Sequence, residues 1–71
     1  MELARLFGEC LQSIRKRQGI SQEELAHLCD LDRTYISLLE RGKRQPSLTT
    51  IFVIAKNLGY KPSDLIKQIE N

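Results

Sequence analysis

At 71 residues, with a formal charge of +2, 41% hydrophobic and 28% charged residues, the chain has the composition of one small folded domain and too much apolar content for disorder. Two cysteines, Cys10 and Cys29, exclude a disulfide framework or a four-cysteine zinc site, and no apolar run approaches the roughly 20 residues that span a bilayer. The opening residues Met1-Glu2-Leu3-Ala4-Arg5 lack a signal-peptide layout, so a cytoplasmic domain is expected, one whose small core gains from self-association.

Leu3, Phe7, Leu11 and Ile14 recur at three- and four-residue spacing and predict a first helix over about 3–18, closed by Gly19. Ser21-Gln22-Glu23-Glu24 reads as a capping box, and Ile20 with Leu25 as the matching hydrophobic staple, so a second helix covers about 22–29. Asp32 caps a third helix over about 33–41, which stops at Gly42. After the loop Lys43-Arg44-Gln45-Pro46, Ser47 caps a fourth helix over about 48–58 carrying Leu48, Ile51, Ile54, Ala55 and Leu58. Pro62 and Asp64 suit the first turn of a fifth helix over about 62–70. No segment alternates as a strand does, so the expected fold is all-α, with five helices forming a single domain over residues 1–71.

Helix 2, a break of about three residues and helix 3 have the layout of a helix-turn-helix over about 22–41. Ala26 supplies the small residue that two steeply crossing helices need, and Leu25, Cys29, Leu31, Ile36 and Leu39 supply a shared apolar seam. A bare αα-hairpin core would use the same seam, and the surface face decides between them. With Ile36 and Leu39 inward, Thr34, Ser37, Leu38 and Arg41 point outward, Arg33 stands at the start of helix 3 and Tyr35 on its flank. Arginine can fork onto guanine, hydroxyls can donate or accept, and an aliphatic group can meet a thymine methyl.

Charge is segregated in the same sense. Arg33, Arg41, Lys43 and Arg44 cluster in or after helix 3, and Arg15-Lys16-Arg17 ends helix 1, whereas Glu23, Glu24, Asp30 and Asp32 surround helix 2. The basic side can track phosphates, with Arg17, Lys43 and Arg44 supplying affinity. Glu40 falls near the inward face beside Ile36 and needs a cationic partner, for which Arg15 is the expected one. Helix 4 carries Ile51-Phe52-Val53-Ile54 in succession, more than one small core can take from one helix. Either helix 5 covers the surplus within the chain, or helices 4 and 5 meet their copies in a two-fold dimer, with Phe52, Val53, Leu65, Ile66 and Ile69 at the interface. The dimer also places two recognition helices about 34 Å apart, one turn of DNA. Cys10, Cys29 and the single His27 lack the neighbours that catalysis or metal binding requires. No cofactor, metal or small-molecule ligand is expected, and no enzymatic activity.

Taken together, Gln18-Gly19-Ile20-Ser21-Gln22-Glu23-Glu24-Leu25-Ala26, Tyr35-Ile36-Ser37, Leu39-Glu40-Arg41-Gly42-Lys43-Arg44, Pro46-Ser47-Leu48 and Ile54-Ala55 resemble the Cro/C1-type (Xre-like) helix-turn-helix domain, from about Phe7 to Leu65. The resemblance implies a compact five-helix, lambda-repressor-like DNA-binding domain that regulates transcription. Leu31-Asp32-Arg33-Thr34-Tyr35-Ile36 and the small size are most similar to controller proteins of restriction–modification systems, which act as homodimers on paired operator half-sites. By that resemblance Gln22 contacts a phosphate, Arg33, Thr34, Tyr35 and Ser37 contact bases and backbone, and Arg44 reaches the backbone or a groove edge. The Arg15–Glu40 pair recurs in the family. Two positions depart from its pattern: Asp30 stands at a turn position usually held by glycine, and Val53 where a charged residue is common. The expected partners are double-stranded operator DNA and a second copy of the chain. The alternatives are a phage or plasmid repressor of the same fold, or an antitoxin-type interaction module; the latter usually carries a longer tail than the residues after helix 5.

Overall fold

The computed structural model describes residues 2–70. Five helices follow one another: α1 Leu3–Arg17, α2 Gln22–Cys29, α3 Arg33–Glu40, α4 Leu48–Asn57 and α5 Pro62–Ile69. The N-termini begin where side-chain oxygens satisfy the first free amides. Ser21 accepts from the Glu24 amide while Glu24 reaches back to the Ser21 amide, Asp32 accepts from Thr34, and Ser47 accepts from Thr50. Helices α1, α3, α4 and α5 each stop one residue short of the ends read from periodicity. In three cases the cause is the glycine that follows. Gly19, Gly42 and Gly59 take positive φ, so Gln18, Arg41 and Leu58 become cap residues whose amides still bond backward while the chain turns away. Among the described residues no helix is long and apolar enough to cross a membrane.

Helix α1 packs on α3 and α5, α2 packs on α3 and α4, and α4 packs on α5. Between them lies a core of Phe7, Leu11, Ile14, Leu25, Ala26, Cys29, Ile36, Leu39, Ile54, Ala55, Leu58 and Leu65. Leu3 and Leu48, which periodicity places on the apolar stripes of α1 and α4, are exposed instead. Each is the first residue of its helix, one turn before the helix axis enters the core.

Helix α1 comes close to the backbone of α3 at Gly8, a residue that the sequence pattern does not single out. A Cβ placed there would lie 2.3 Å from the Leu39 carbonyl oxygen and 2.7 Å from that of Glu40. Those atoms are backbone and cannot turn aside, so α1 reaches α3 only because residue 8 has no side chain. Gly8→Ala is therefore expected to separate α1 from α3 and remove the cooperative thermal transition, or lower its midpoint by far more than Gly19→Ala. At Gly19 nothing lies within 4 Å, so that change costs only about 1–2 kcal/mol of left-handed strain. Melting both variants by circular dichroism checks the order, and equal midpoints would contradict it.

Candidate nucleic-acid interface

The turn between α2 and α3 is tight. Asp30 adopts the left-handed conformation, φ 56° and ψ 44°, the position where the sequence departs from glycine; aspartate tolerates it better than most side chains. The Leu31 amide then reaches back to the Ala26 carbonyl at 2.8 Å and the Asp30 amide to that of His27 at 3.2 Å. Asp32 at once caps α3, accepting from the Thr34 amide at 2.8 Å. Chain direction, cap and turn together aim the first turn of α3 outward.

The far end of α3 is anchored inside the protein. Glu40 is buried, and Arg15 from α1 meets it side-on: Arg15 Nε donates to Glu40 Oε2 at 2.6 Å and Nη2 to Oε1 at 2.9 Å. Arg15 Nη1 donates to the Ile20 carbonyl at 2.9 Å, and Gln22 Nε2 donates to Glu40 Oε1 at 2.9 Å. Among the described residues no buried side-chain nitrogen or oxygen lacks a partner. The hydrogen bond to Glu40 raises the Arg15 guanidinium pKa above its ordinary value, against the opposing pull of burial.

Arg33 and Thr34 lie exposed on the leading turn of α3, while Ser37 is half-buried and sits deeper on the same helix. Leu38, read as outward-facing, is half-buried. Tyr35 is also half-buried and packs against the core edge. Its hydroxyl donates to Thr50 Oγ1 at 3.5 Å, and the Arg44 guanidinium stands over its ring with Cζ 5.8 Å from the centroid. Tyr35 thus ties α3 to the start of α4 and seats a loop cation, a link that sequence spacing does not announce. Arg17, Lys43 and Arg44 are exposed. Among the described residues the ion pairs involve only Arg5 and Arg15 as cations, so the charges of Arg17, Arg33, Lys43 and Arg44 face solvent uncompensated. Glu23, Glu24, Asp30 and Asp32 are exposed around α2. Burial pushes the thiols of Cys29 and Cys10 up, away from the reactive thiolate.

The expected dimer residues separate. Leu65 is fully buried in the chain's own core, which corrects its assignment to an interface, since its side chain has no exposed surface to offer a copy. Val53 and Ile69 are half-buried against that core. Phe52 and Ile66 remain 54% and 38% exposed, and with Leu48 at 72% they line one shallow depression between α4 and α5. Helix α5 therefore covers part of the surplus on α4 and leaves part of it bare.

The helix-turn-helix family model matches residues 11–65. The chain is 52% identical over 62 residues to control protein C.BamHI of Bacillus amyloliquefaciens, covering 86% of this chain and 76% of that protein. The crystal structure of the restriction–modification controller protein C.AhdI from Aeromonas hydrophila is similar with TM-score 0.87 and 40% identity, over 92% of this chain and 98% of that one. The controller protein C.Esp1396I, crystallised as a tetramer in complex with its natural 35 base-pair operator, is similar with TM-score 0.84 and 33% identity, over 100% of this chain and 99% of that one.

Breaking the buried pair and replacing it are different experiments. Arg15→Met strands a buried carboxylate and is expected to lower stability in urea unfolding by about 3–5 kcal/mol. Combining it with Glu40→Leu removes the stranded charge and should restore most of that loss. A double variant as unstable as the single one would show that the pair is needed for stability in its own right.

Proposed function

Because the chain belongs to the helix-turn-helix family, we propose that it is a sequence-specific DNA-binding transcriptional regulator of the restriction–modification controller type. It acts in the bacterial cytoplasm as a homodimer on paired operator half-sites. The observation that carries this reading is the exposed leading turn of α3, Arg33 and Thr34, bordered by the uncompensated cations Arg17, Lys43 and Arg44. The likeness to controller proteins across nearly the full chain supports it.

In this mechanism α3 enters the major groove. Arg33 and Thr34 read base edges, Ser37 follows deeper in the groove, and Tyr35 works at the groove wall beside Arg44. Gln22 and the amides at the start of α2 take a phosphate, where the helix dipole favours an anion. Arg17, Lys43 and Arg44 neutralise the backbone and steer association. One copy presents a single α3 and so reads one half-site, and a second half-site about 34 Å away needs a second copy. The bare depression of Leu48, Phe52 and Ile66 is where two copies join, and the operator-bound tetramer of C.Esp1396I supports an assembled form on DNA. No reaction step is assigned to any residue.

Two measurements test the division of labour. Arg33→Ala or Thr34→Ala is expected to lower the ratio of specific to random-sequence binding by roughly tenfold, within the about 1–3 kcal/mol of a base contact. Lys43→Ala should weaken both kinds of binding alike and flatten the log–log salt dependence by about 0.9. Filter binding at several salt concentrations reads both, and uniform losses in all three variants would refute the assignment. For the dimer, Phe52→Glu is expected to give monomers in sedimentation and to weaken operator binding, whereas a dimer of unchanged mass would move the interface elsewhere.

A further inference from the structure

Gln22 opens α2, at a place where an amide side chain would ordinarily swing in water. Here it is half-buried, and its Nε2 donates to Glu40 Oε1 at 2.9 Å across 18 residues of sequence. That oxygen also accepts from Arg15 Nη2 at 2.9 Å, while Glu40 Oε2 accepts from Arg15 Nε at 2.6 Å. A carboxylate can only accept, so the contact fixes which end of the amide meets the pair: the NH2 group lies against Glu40. One of its N–H bonds is used there. The other is left to donate at the positive end of α2.

We infer that Glu40 is a positioning residue for DNA-backbone recognition, holding the Gln22 amide in place for a phosphate before DNA arrives. The inference rests on the reading of Gln22 as a phosphate contact. Three side-chain torsions ordered only on binding would subtract from affinity, and a side chain already held by Glu40 avoids that loss. Arg15 makes the arrangement tolerable to DNA, because the bidentate pair is neutral as a unit and does not repel the phosphate. Since Glu40 ends the recognition helix, the same carboxylate sets the phosphate anchor on α2 in register with the base-reading turn of α3.

The test is a double-mutant cycle on the full chain, read by fluorescence anisotropy against random-sequence duplex DNA, with folding of each variant checked by circular dichroism. Gln22→Ala is expected to weaken binding roughly five- to tenfold with the salt slope unchanged, since no charge is removed. Glu40→Gln should lose a similar factor, and the double variant should bind no worse than the weaker single one. Losses that multiply would overturn the inference and leave the phosphate contact standing. A Gln22→Ala variant that binds as the parent does would remove the contact and the inference with it. A second measurement needs no substitution and decides the matter if Glu40→Gln does not fold. In the DNA-free chain the Gln22 side-chain amide protons should be well separated and slow to exchange by nitrogen-15 NMR. Free-swinging behaviour like that of an exposed glutamine would refute the inference.

Discussion

The contact between Arg15 and Glu40 is the constraint on which the arrangement of this domain depends. An ion pair out of water is a poor source of stability, because desolvating two charges offsets most of their attraction. What this one supplies is geometry. The guanidinium spends Nε and Nη2 on Glu40 and Nη1 on the Ile20 carbonyl, and Glu40 takes a further bond from Gln22. Four stretches of chain are thereby fixed at one point: the end of α1, the α1–α2 loop, the start of α2 and the end of α3. Charge-assisted bonds with a planar fork tolerate little rotation. The pair therefore specifies how α3 is held in a way that apolar packing alone would leave looser.

That specification matters because the helices are short. α2, α3 and α5 have 8 residues each, below the roughly 12–15 at which an isolated helix becomes even marginal in water. They persist because each begins at a favourable start and buries one face against a neighbour. Ser21 and Asp32 cap α2 and α3, and Pro62 opens α5. Gly8 completes the arrangement by letting α1 approach the backbone of Leu39 and Glu40 directly. The guanidinium and the missing side chain meet the end of α3 within one turn.

The sequence was legible wherever physics acts locally. Caps, staples and helix-closing glycines set the five elements to within a residue, because each depends on side chains a few positions apart. The Arg15–Glu40 partnership was also legible, since a carboxylate on an inward helix face creates a need that only a nearby cation meets. What spacing could not disclose lies between distant segments. The Gln22–Glu40 bond, the Tyr35 hydroxyl on Thr50 and the tight passage at Gly8 depend on how helices cross, and a glycine within a helix gives only the weak hint that something passes close by. Leu65 was misassigned for a related reason: apolar periodicity marks a buried face without telling whether the chain or a copy buries it. Leu3 and Leu48 show the opposite error, since a stripe extends past the point where the core ends.

Arg33 and Thr34 project from the leading turn of α3, and neither side chain takes part in a hydrogen bond or ion pair among the described residues. The groups that hold the helix, Ile36, Leu39 and Glu40, point the other way. Of the eight residues of α3, only Tyr35 both packs on the core edge and reaches a neighbouring element at its flank. The two outer positions can therefore be replaced while the contacts that hold the helix stay untouched, so this turn is free to diverge without the domain being rebuilt.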